Sequence, residues 1–117
     1  MALAREPKKT ATQVLVAARE LLSEKRRWTQ GAYAIGPGGR RTDLSDPKAC
    51  AWCAAGAIYK QGGNLDGAGA AAVLAEAIRE QWPDESIAGF NDDHDTTHEQ
   101  VLSMFDRAIE LSRAAGS

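Results

Sequence analysis

The sequence predicts a mainly α-helical fold, a compact bundle of about four helices around one central buried helix. Apolar residues recur at helical spacing in several segments, and helix-starting residues precede those segments. Alanine is abundant, whereas aromatic residues make up only 6% of the chain. Small side chains of this kind let neighbouring helices approach one another closely.

Length and composition predict one globular domain. The chain has 117 residues, of which 44% are hydrophobic, and this is enough to bury a core of its own. We expect residues 1–9 to form a flexible leader and residues 10–115 to form a single helical domain.

Charge and hydropathy narrow the classes of partner. The net charge is −2, with 14 basic and 16 acidic residues, which argues against nucleic acid as a partner. No apolar run approaches the ~20 residues needed to span a bilayer, which argues against a membrane protein. Because the chain has two cysteines and no recognisable secretion signal, we expect a cytoplasmic protein.

The first helix is predicted from Thr10 or Thr12 to about Arg27. Its apolar stripe consists of Val14, Ala18, Leu21 and Leu22, with Leu15 beside it. The following residues, 28–46, are irregular and rich in glycine, and a short extended or β segment is predicted at residues 31–36.

The central helix is predicted at residues 47–60. Asp46 is the expected N-cap, and Pro47 stands in the first turn, where its missing N–H costs nothing. Lys48 and Lys60 are the only charged residues of this segment, so we expect its neighbours to enclose it.

Glycines at residues 61–69 predict a connection, with Asp66 or a neighbour capping a third helix that Pro83 ends after Trp82. We expect a loop at residues 86–95, anchored by Ile87 and Phe90. The last helix is predicted to start at Thr97 as N-cap, because Gln100 three residues later completes a capping box.

Several segments together resemble a family of small uncharacterised bacterial and phage-encoded domains. The segments are residues 52–58 (Trp-Cys-Ala-Ala-Gly-Ala-Ile), 90–92 (Phe-Asn-Asp) and 105–109 (Phe-Asp-Arg-Ala-Ile). The resemblance implies no assigned activity, but it directs attention to Trp52, Cys53, Asn91 and Asp92. Cys50, His94 and His98 lie outside the shared pattern.

We expect a non-enzymatic binding protein without a cofactor. Residues 36–39 form a glycine-rich turn followed by two arginines, and such turns favour phosphate or carboxylate groups. The predicted binding residues are Tyr33, Arg40, Arg41, Trp52, Asn91 and Asp92. The ligand would be a small anionic molecule such as a nucleotide, or else a protein partner or a second copy of the chain. Analogy with the look-alike family adds an accessory role in a phage or its host to these interpretations.

An alternative class uses the two cysteines. Cys50 and Cys53 form a C-x-x-C pair, which is typical of thiol redox sites. With His94 and His98, which have H-x-x-x-H spacing, the same pair could complete a tetrahedral zinc site.

Overall fold

The computed structural model describes residues 9–116, apart from the side chains of residues 63–68. The leader predicted at residues 1–9 falls almost entirely outside the described residues. Within them the chain is mainly helical, with helices α1 (Ala11–Leu21), α2 (Ala54–Gln81), α3 (Ile87–Asp92) and α4 (His98–Ala114), and with a two-stranded sheet of β1 (Ala34–Ile35) and β2 (Ala51–Trp52). The predicted mainly α bundle with a short β segment at residues 31–36 is therefore confirmed.

Helices α1 and α4 begin where their capping signals predict. The Thr10 hydroxyl accepts a hydrogen bond from the Gln13 N–H at 3.1 Å, and the Gln13 side chain accepts one from the Thr10 N–H at 2.9 Å. Thr97 and Gln100 make the same reciprocal pair. Helix α1 ends at Leu21, earlier than predicted, and a separate 3₁₀ turn follows at Lys25–Arg27.

The predicted start of the central helix is wrong. Residues 51–52 form strand β2, which pairs antiparallel with β1, and Cys53 is the N-cap of α2. The Asp46 carboxylate instead closes a turn, in which it accepts hydrogen bonds from the Thr42 hydroxyl and, at 2.8 Å, from the Lys48 N–H. An aspartate before proline can close a turn or cap a helix, and in this structure it closes a turn.

The predicted break at residues 61–69 is also wrong, because α2 runs without interruption from Ala54 to Gln81. Asp66 is therefore inside a helix and does not cap one. Both halves of α2 carry fully buried side chains, Ile58 in the first and Ile78 in the second. Packing of both halves offsets the low helix propensity of the glycines between them. The end of the helix before Pro83 agrees with the prediction.

Helix α2 is the central element, and it packs against α1, α3 and α4. Trp52, Cys53 and Ile58 are 7%, 8% and 0% exposed, so the expected enclosure is confirmed for residues 51–58. It is wrong for Pro47, Lys48 and Cys50, which are exposed because they precede the helix. Large buried side chains from the helices and their flanks form the core, including Leu15, Leu22, Ile58, Leu74, Ile78, Phe90 and Phe105.

The segment predicted as a loop at residues 86–95 contains helix α3, which Ser86 caps through the Gly89 N–H. Phe90 is buried and Ile87 packs on the core, so both act as the expected anchors. Trp82 is 38% exposed, and its ring centre lies 5.2 Å from that of Phe90. Among the described residues, no helix combines the length and apolar character that crossing a bilayer requires.

Candidate functional site

The candidate site is built on the first turn of α2. Here the Cys53 sulfur accepts a hydrogen bond from the Gly56 N–H at 3.2 Å, and the Cys53 carbonyl accepts one from the Ala57 N–H at 2.9 Å. The Ala54 N–H donates to the side chain of Asn91 at 2.9 Å. These three N–H groups are already satisfied within the chain, so this helix end does not offer them to an anion.

Asn91 joins α3 to this helix end and to the chain before β1. Its Oδ1 accepts hydrogen bonds from the Ala54 N–H and, at 2.7 Å, from the Trp28 indole N–H. Its Nδ2 donates to the Thr29 carbonyl at 3.1 Å and to the Asp92 carboxylate at 2.9 Å. The side chain is 1% exposed, and all of its donors and its acceptor are used. Asn91 is therefore a structural crosslink rather than a group free to bind a ligand.

Three more hydrogen bonds, from Gln30 and Gly31, fix the segment that follows Trp28 against α3. The Gln30 amide donates to the carbonyls of Asn91 and Asp93, at 2.9 Å each. The Gly31 N–H donates to Asp92 Oδ1 at 2.9 Å, and Gly31 has a φ of 81°, a conformation that glycine adopts without strain. These hydrogen bonds set the direction in which the chain runs from α3 toward Tyr33.

The backbone of Tyr33 lies directly on the start of α2. Its carbonyl accepts a hydrogen bond from the Cys53 N–H at 3.3 Å. A Cβ atom on Gly56 would lie 2.9 Å from the Tyr33 carbonyl carbon and still closer to the carbonyl oxygen. Only glycine permits this approach, which sets the distance between the arm at residues 31–42 and the helix.

A cavity of about 400 Å³, here called the arm cavity, opens between this arm, α2 and α3. Its charged groups are the exposed side chains of Arg41 and Asp92, and the Thr42 hydroxyl and the Cys53 thiol also line it. The other lining residues are Gly31, Ala32, Tyr33, Ala34, Ala55 and Ala88. The cavity therefore combines a largely apolar wall with one cation and one anion.

The Cys53 thiol is held in its neutral form. Burial raises the pKa of this thiol, the nearby Asp92 carboxylate raises it further, and hydrogen bonds from the Gly56 and Ala55 N–H groups offset only part of the effect. A neutral thiol is a weak nucleophile and a weak metal ligand. In the arm cavity Cys53 acts as part of the wall.

The structure brings together some of the predicted binding residues and separates others. Tyr33, Arg41 and Asp92 line the arm cavity, whereas Arg40 does not. Trp52 lies on a different cavity, beside Cys50. Asn91 is buried behind the arm cavity, where it holds the wall in place.

The four residues of the alternative zinc site are not brought together. Cys50 is exposed, and its thiol lies 3.6 Å from the Ile35 carbonyl, whereas Cys53 is buried at the helix cap. His98 Nε2 lies 2.6 Å from the Leu22 carbonyl. His94 is exposed beside Asp93 and Asp95, which with it form the only group of three potential ligands among the described residues.

Sequence reasoning missed Thr42 and Ala88 as lining residues and the role of Gly56. Small residues in an arm or on a short helix carry no local signal of a cavity. The one available signal was Gly56 itself, since a glycine inside a predicted helix costs stability unless a neighbour approaches closely.

A family model for a family of unknown function, DUF6197, matches residues 6–111. The chain therefore belongs to this family, in agreement with its resemblance to an uncharacterised one. No curated protein and no solved structure matches the chain.

Proposed function

We propose that this protein is a non-enzymatic binding protein whose arm cavity takes a small molecule with one anionic group and several hydroxyl or amine groups. The observation that carries the proposal is that Arg41 and Asp92 both line a cavity of about 400 Å³ whose wall is largely apolar. Small-molecule sites have this character and volumes of roughly 300–1,000 Å³.

The two charged groups define complementary parts of the ligand. Arg41 makes no ion pair or side-chain hydrogen bond among the described residues, so its guanidinium is free to hold a phosphate or carboxylate. Asp92 Oδ1 accepts hydrogen bonds from Gly31 and Asn91, and its Oδ2 has no partner among the described residues. This second oxygen suits a pair of hydroxyl groups or an amine.

A nucleoside monophosphate meets these requirements. Its phosphate would pair with Arg41, its ribose hydroxyls would donate to Asp92, and its base would face the aromatic ring of Tyr33, which is 59% exposed. A cavity with a single arginine and one carboxylate favours one phosphate group over three, because each further negative charge would lack a partner.

The chemistry of the wall supports binding rather than catalysis. The pKa of Cys53 is raised by burial, and neither His94 nor His98 lines the arm cavity, so the thiol has no histidine base beside it there. The alternative of thiol redox or zinc chemistry at Cys50 and Cys53 lacks comparable support, since one thiol is exposed and the other caps a helix.

The proposal extends to the setting of the protein. Both cysteines are free thiols, which fits a reducing compartment such as the cytoplasm. We also propose an accessory role in a bacterium or a phage. In that role a protein partner or a second copy of the chain would bind at the face that carries the arm cavity.

Ligand-induced stabilisation tests the proposed function. Adenosine monophosphate, adenosine and inorganic phosphate are compared by thermal shift and isothermal titration calorimetry, together with the other nucleoside monophosphates. A ligand present at about 100 times its Kd adds about 2.7 kcal/mol to the free energy of unfolding. We expect binding of a monophosphate and much weaker binding of the nucleoside or of phosphate alone.

Arg41→Gln and Arg40→Gln form a matched pair of variants. Both remove one positive charge from an exposed position of the same arm, but only Arg41 lines the cavity. We expect Arg41→Gln to weaken binding at least tenfold and Arg40→Gln to change it less than twofold. Equal losses in the two variants, or no stabilisation by any monophosphate, would contradict the proposed function.

A further inference from the structure

A second cavity, here called the arginine cavity, lies outside the arm cavity and shares no lining residue with it. It has a volume of about 590 Å³ and is lined by Leu21, Arg26, Arg27, Ala49, Cys50 and Trp52. These residues come from the end of α1, the 3₁₀ turn after it, and strand β2 with the segment leading into it. The proposed function uses none of them.

The arginine cavity is positively charged. Arg26 pairs with Glu24 at 2.7 Å, and the side chain of Arg27 has no ion pair or hydrogen bond within the described residues. Lys25 precedes the two arginines, and no acidic residue of the described chain lines the cavity. An unpaired guanidinium on a cavity wall is suited to a bidentate contact with a carboxylate, sulfonate or phosphate.

Trp52 contributes an aromatic ring to the wall of this cavity. Its side chain is 7% exposed, and its indole Nε1 is the only buried side-chain nitrogen or oxygen without a hydrogen-bond partner among the described residues. Buried donors are satisfied in most proteins, and an unsatisfied one calls for an explanation. The nitrogen itself is closed off from solvent, so a ligand in the cavity would contact the Trp52 ring rather than this N–H.

The remaining wall is apolar. Leu21 and Ala49 pack against the core from the side of this cavity, and the Trp52 ring adds an aromatic surface. A purely inorganic anion would leave these surfaces uncovered, whereas a flat apolar body carrying one anionic group would cover them and reach Arg27.

We propose that the arginine cavity is a second binding site, for an aromatic small molecule that carries a single anionic group. The anionic group pairs with Arg27, with Arg26 beside it, and the aromatic part lies against Trp52 and Leu21. This proposal does not depend on the arm cavity.

The probe for this site is 8-anilino-1-naphthalenesulfonate, an aromatic sulfonate whose fluorescence rises when it leaves water. N-phenyl-1-naphthylamine, which has the same ring system without the charge, is the control ligand. We expect saturable binding of one sulfonate per chain, and at least tenfold weaker binding of the neutral compound. Equal affinity for the two would overturn the proposal, because it would show that the arginines are not used.

Arg27→Gln and Lys25→Gln are the matched variants, because each removes one positive charge from the same 3₁₀ turn and only Arg27 lines the cavity. We expect the affinity for the sulfonate to fall at least tenfold in Arg27→Gln and less than twofold in Lys25→Gln. Arg41→Gln should leave it unchanged, so failure of this site and failure of the arm cavity are distinguishable. Equal loss in Arg27→Gln and Lys25→Gln would overturn the proposal.

Cys50 provides a second measurement on the unaltered protein, which decides the question even if a variant does not fold. Its thiol is exposed and lines the arginine cavity, so N-ethylmaleimide reaches it in the free protein. We expect a saturating concentration of the sulfonate to slow alkylation of Cys50 at least fivefold, as measured by peptide mass spectrometry. An unchanged alkylation rate would place the bound sulfonate elsewhere and refute the proposal.

Discussion

Replacing Gly56 with alanine should destabilise the protein, although the same replacement stabilises an ordinary helix position. Gly56 lies in the first turn of α2, where alanine is intrinsically favoured over glycine by about 0.5–1 kcal/mol. The added Cβ would, however, lie 2.9 Å from the carbonyl carbon of Tyr33, where ordinary contacts begin at 3.4 Å, and nearer still to the carbonyl oxygen.

The size of this destabilisation depends on which atoms must move to make room for the new Cβ. Both obstructing atoms belong to the backbone of Tyr33, so the arm and the helix have to separate by roughly 1 Å, which costs about 1–3 kcal/mol as overpacking. The separation also breaks the 3.3 Å hydrogen bond from the Cys53 N–H to the Tyr33 carbonyl, at about 0.5–1.5 kcal/mol. After the helix propensity is subtracted, these ranges give a net loss centred on about 2 kcal/mol.

Gly69→Ala is the matched control, because it is the same substitution in the same helix with no atom within 4 Å of the new Cβ. We expect this variant to be more stable than the natural protein by about 0.5–1 kcal/mol. Urea denaturation followed by circular dichroism measures both changes. In thermal scans Gly56→Ala should lower the Tm by roughly 10 °C.

The test is that Gly56→Ala lowers the free energy of unfolding whereas Gly69→Ala raises it. If Gly56→Ala proved as stable as the natural protein, or if both variants shifted stability in the same direction, the close approach of the Tyr33 backbone to α2 would be refuted. The described position of Tyr33 in the wall of the arm cavity would then be wrong as well.

Two further predictions concern buried polar groups. Asn91→Leu should cost about 3–5 kcal/mol in urea denaturation, because it leaves the Trp28 indole N–H and the Ala54 N–H buried without an acceptor. In the native protein at pH 8, iodoacetamide should modify the exposed Cys50 at least tenfold faster than Cys53, by peptide mass spectrometry, because Cys53 is buried and its pKa is raised. The raised pKa also makes ionisation of Cys53 easier in the unfolded chain, so its contribution to stability is complete below pH 9 and is lost as the pH rises through the folded-state pKa.

Each of these predictions has an outcome that contradicts it. A loss below 1 kcal/mol in Asn91→Leu would mean that the amide network does not hold α3 against α2. Equal alkylation rates for the two cysteines would mean that Cys53 is not enclosed at the helix cap. The interpretation of its neutral thiol as part of the wall of the arm cavity would then be wrong.

The helix starts that the sequence predicted correctly depend on interactions between residues three apart. Thr10 with Gln13 and Thr97 with Gln100 satisfy each other's backbone groups wherever the rest of the chain lies, so the pattern identifies the start of each helix. The end of α2 at Pro83 is local in the same sense, because proline cannot continue a helix.

The start of α2 was mispredicted because two local solutions compete at residues 46–53. Asp46 can cap a helix or close a turn, and the turn prevails once residues 51–52 pair with β1. That pairing joins Trp52 to Ala34, eighteen positions away, and no nearby residue indicates it. The unbroken path of α2 through the glycines at residues 61–69 likewise depends on packing against α1 and α4.

The sequence by itself determined the mainly helical fold, the capped starts of α1 and α4, and the buried stripe of Val14, Ala18 and Leu22 on α1 and its C-cap, since each follows from spacing along one segment. Only the tertiary structure decided which polar residues share a cavity: Arg41 rather than Arg40, Asp92 rather than Asn91, and Trp52 on a separate wall. The physical reason is that Asn91 fixes the arm through hydrogen bonds to residues more than sixty positions away, and contacts of that range leave no periodic signal in the chain.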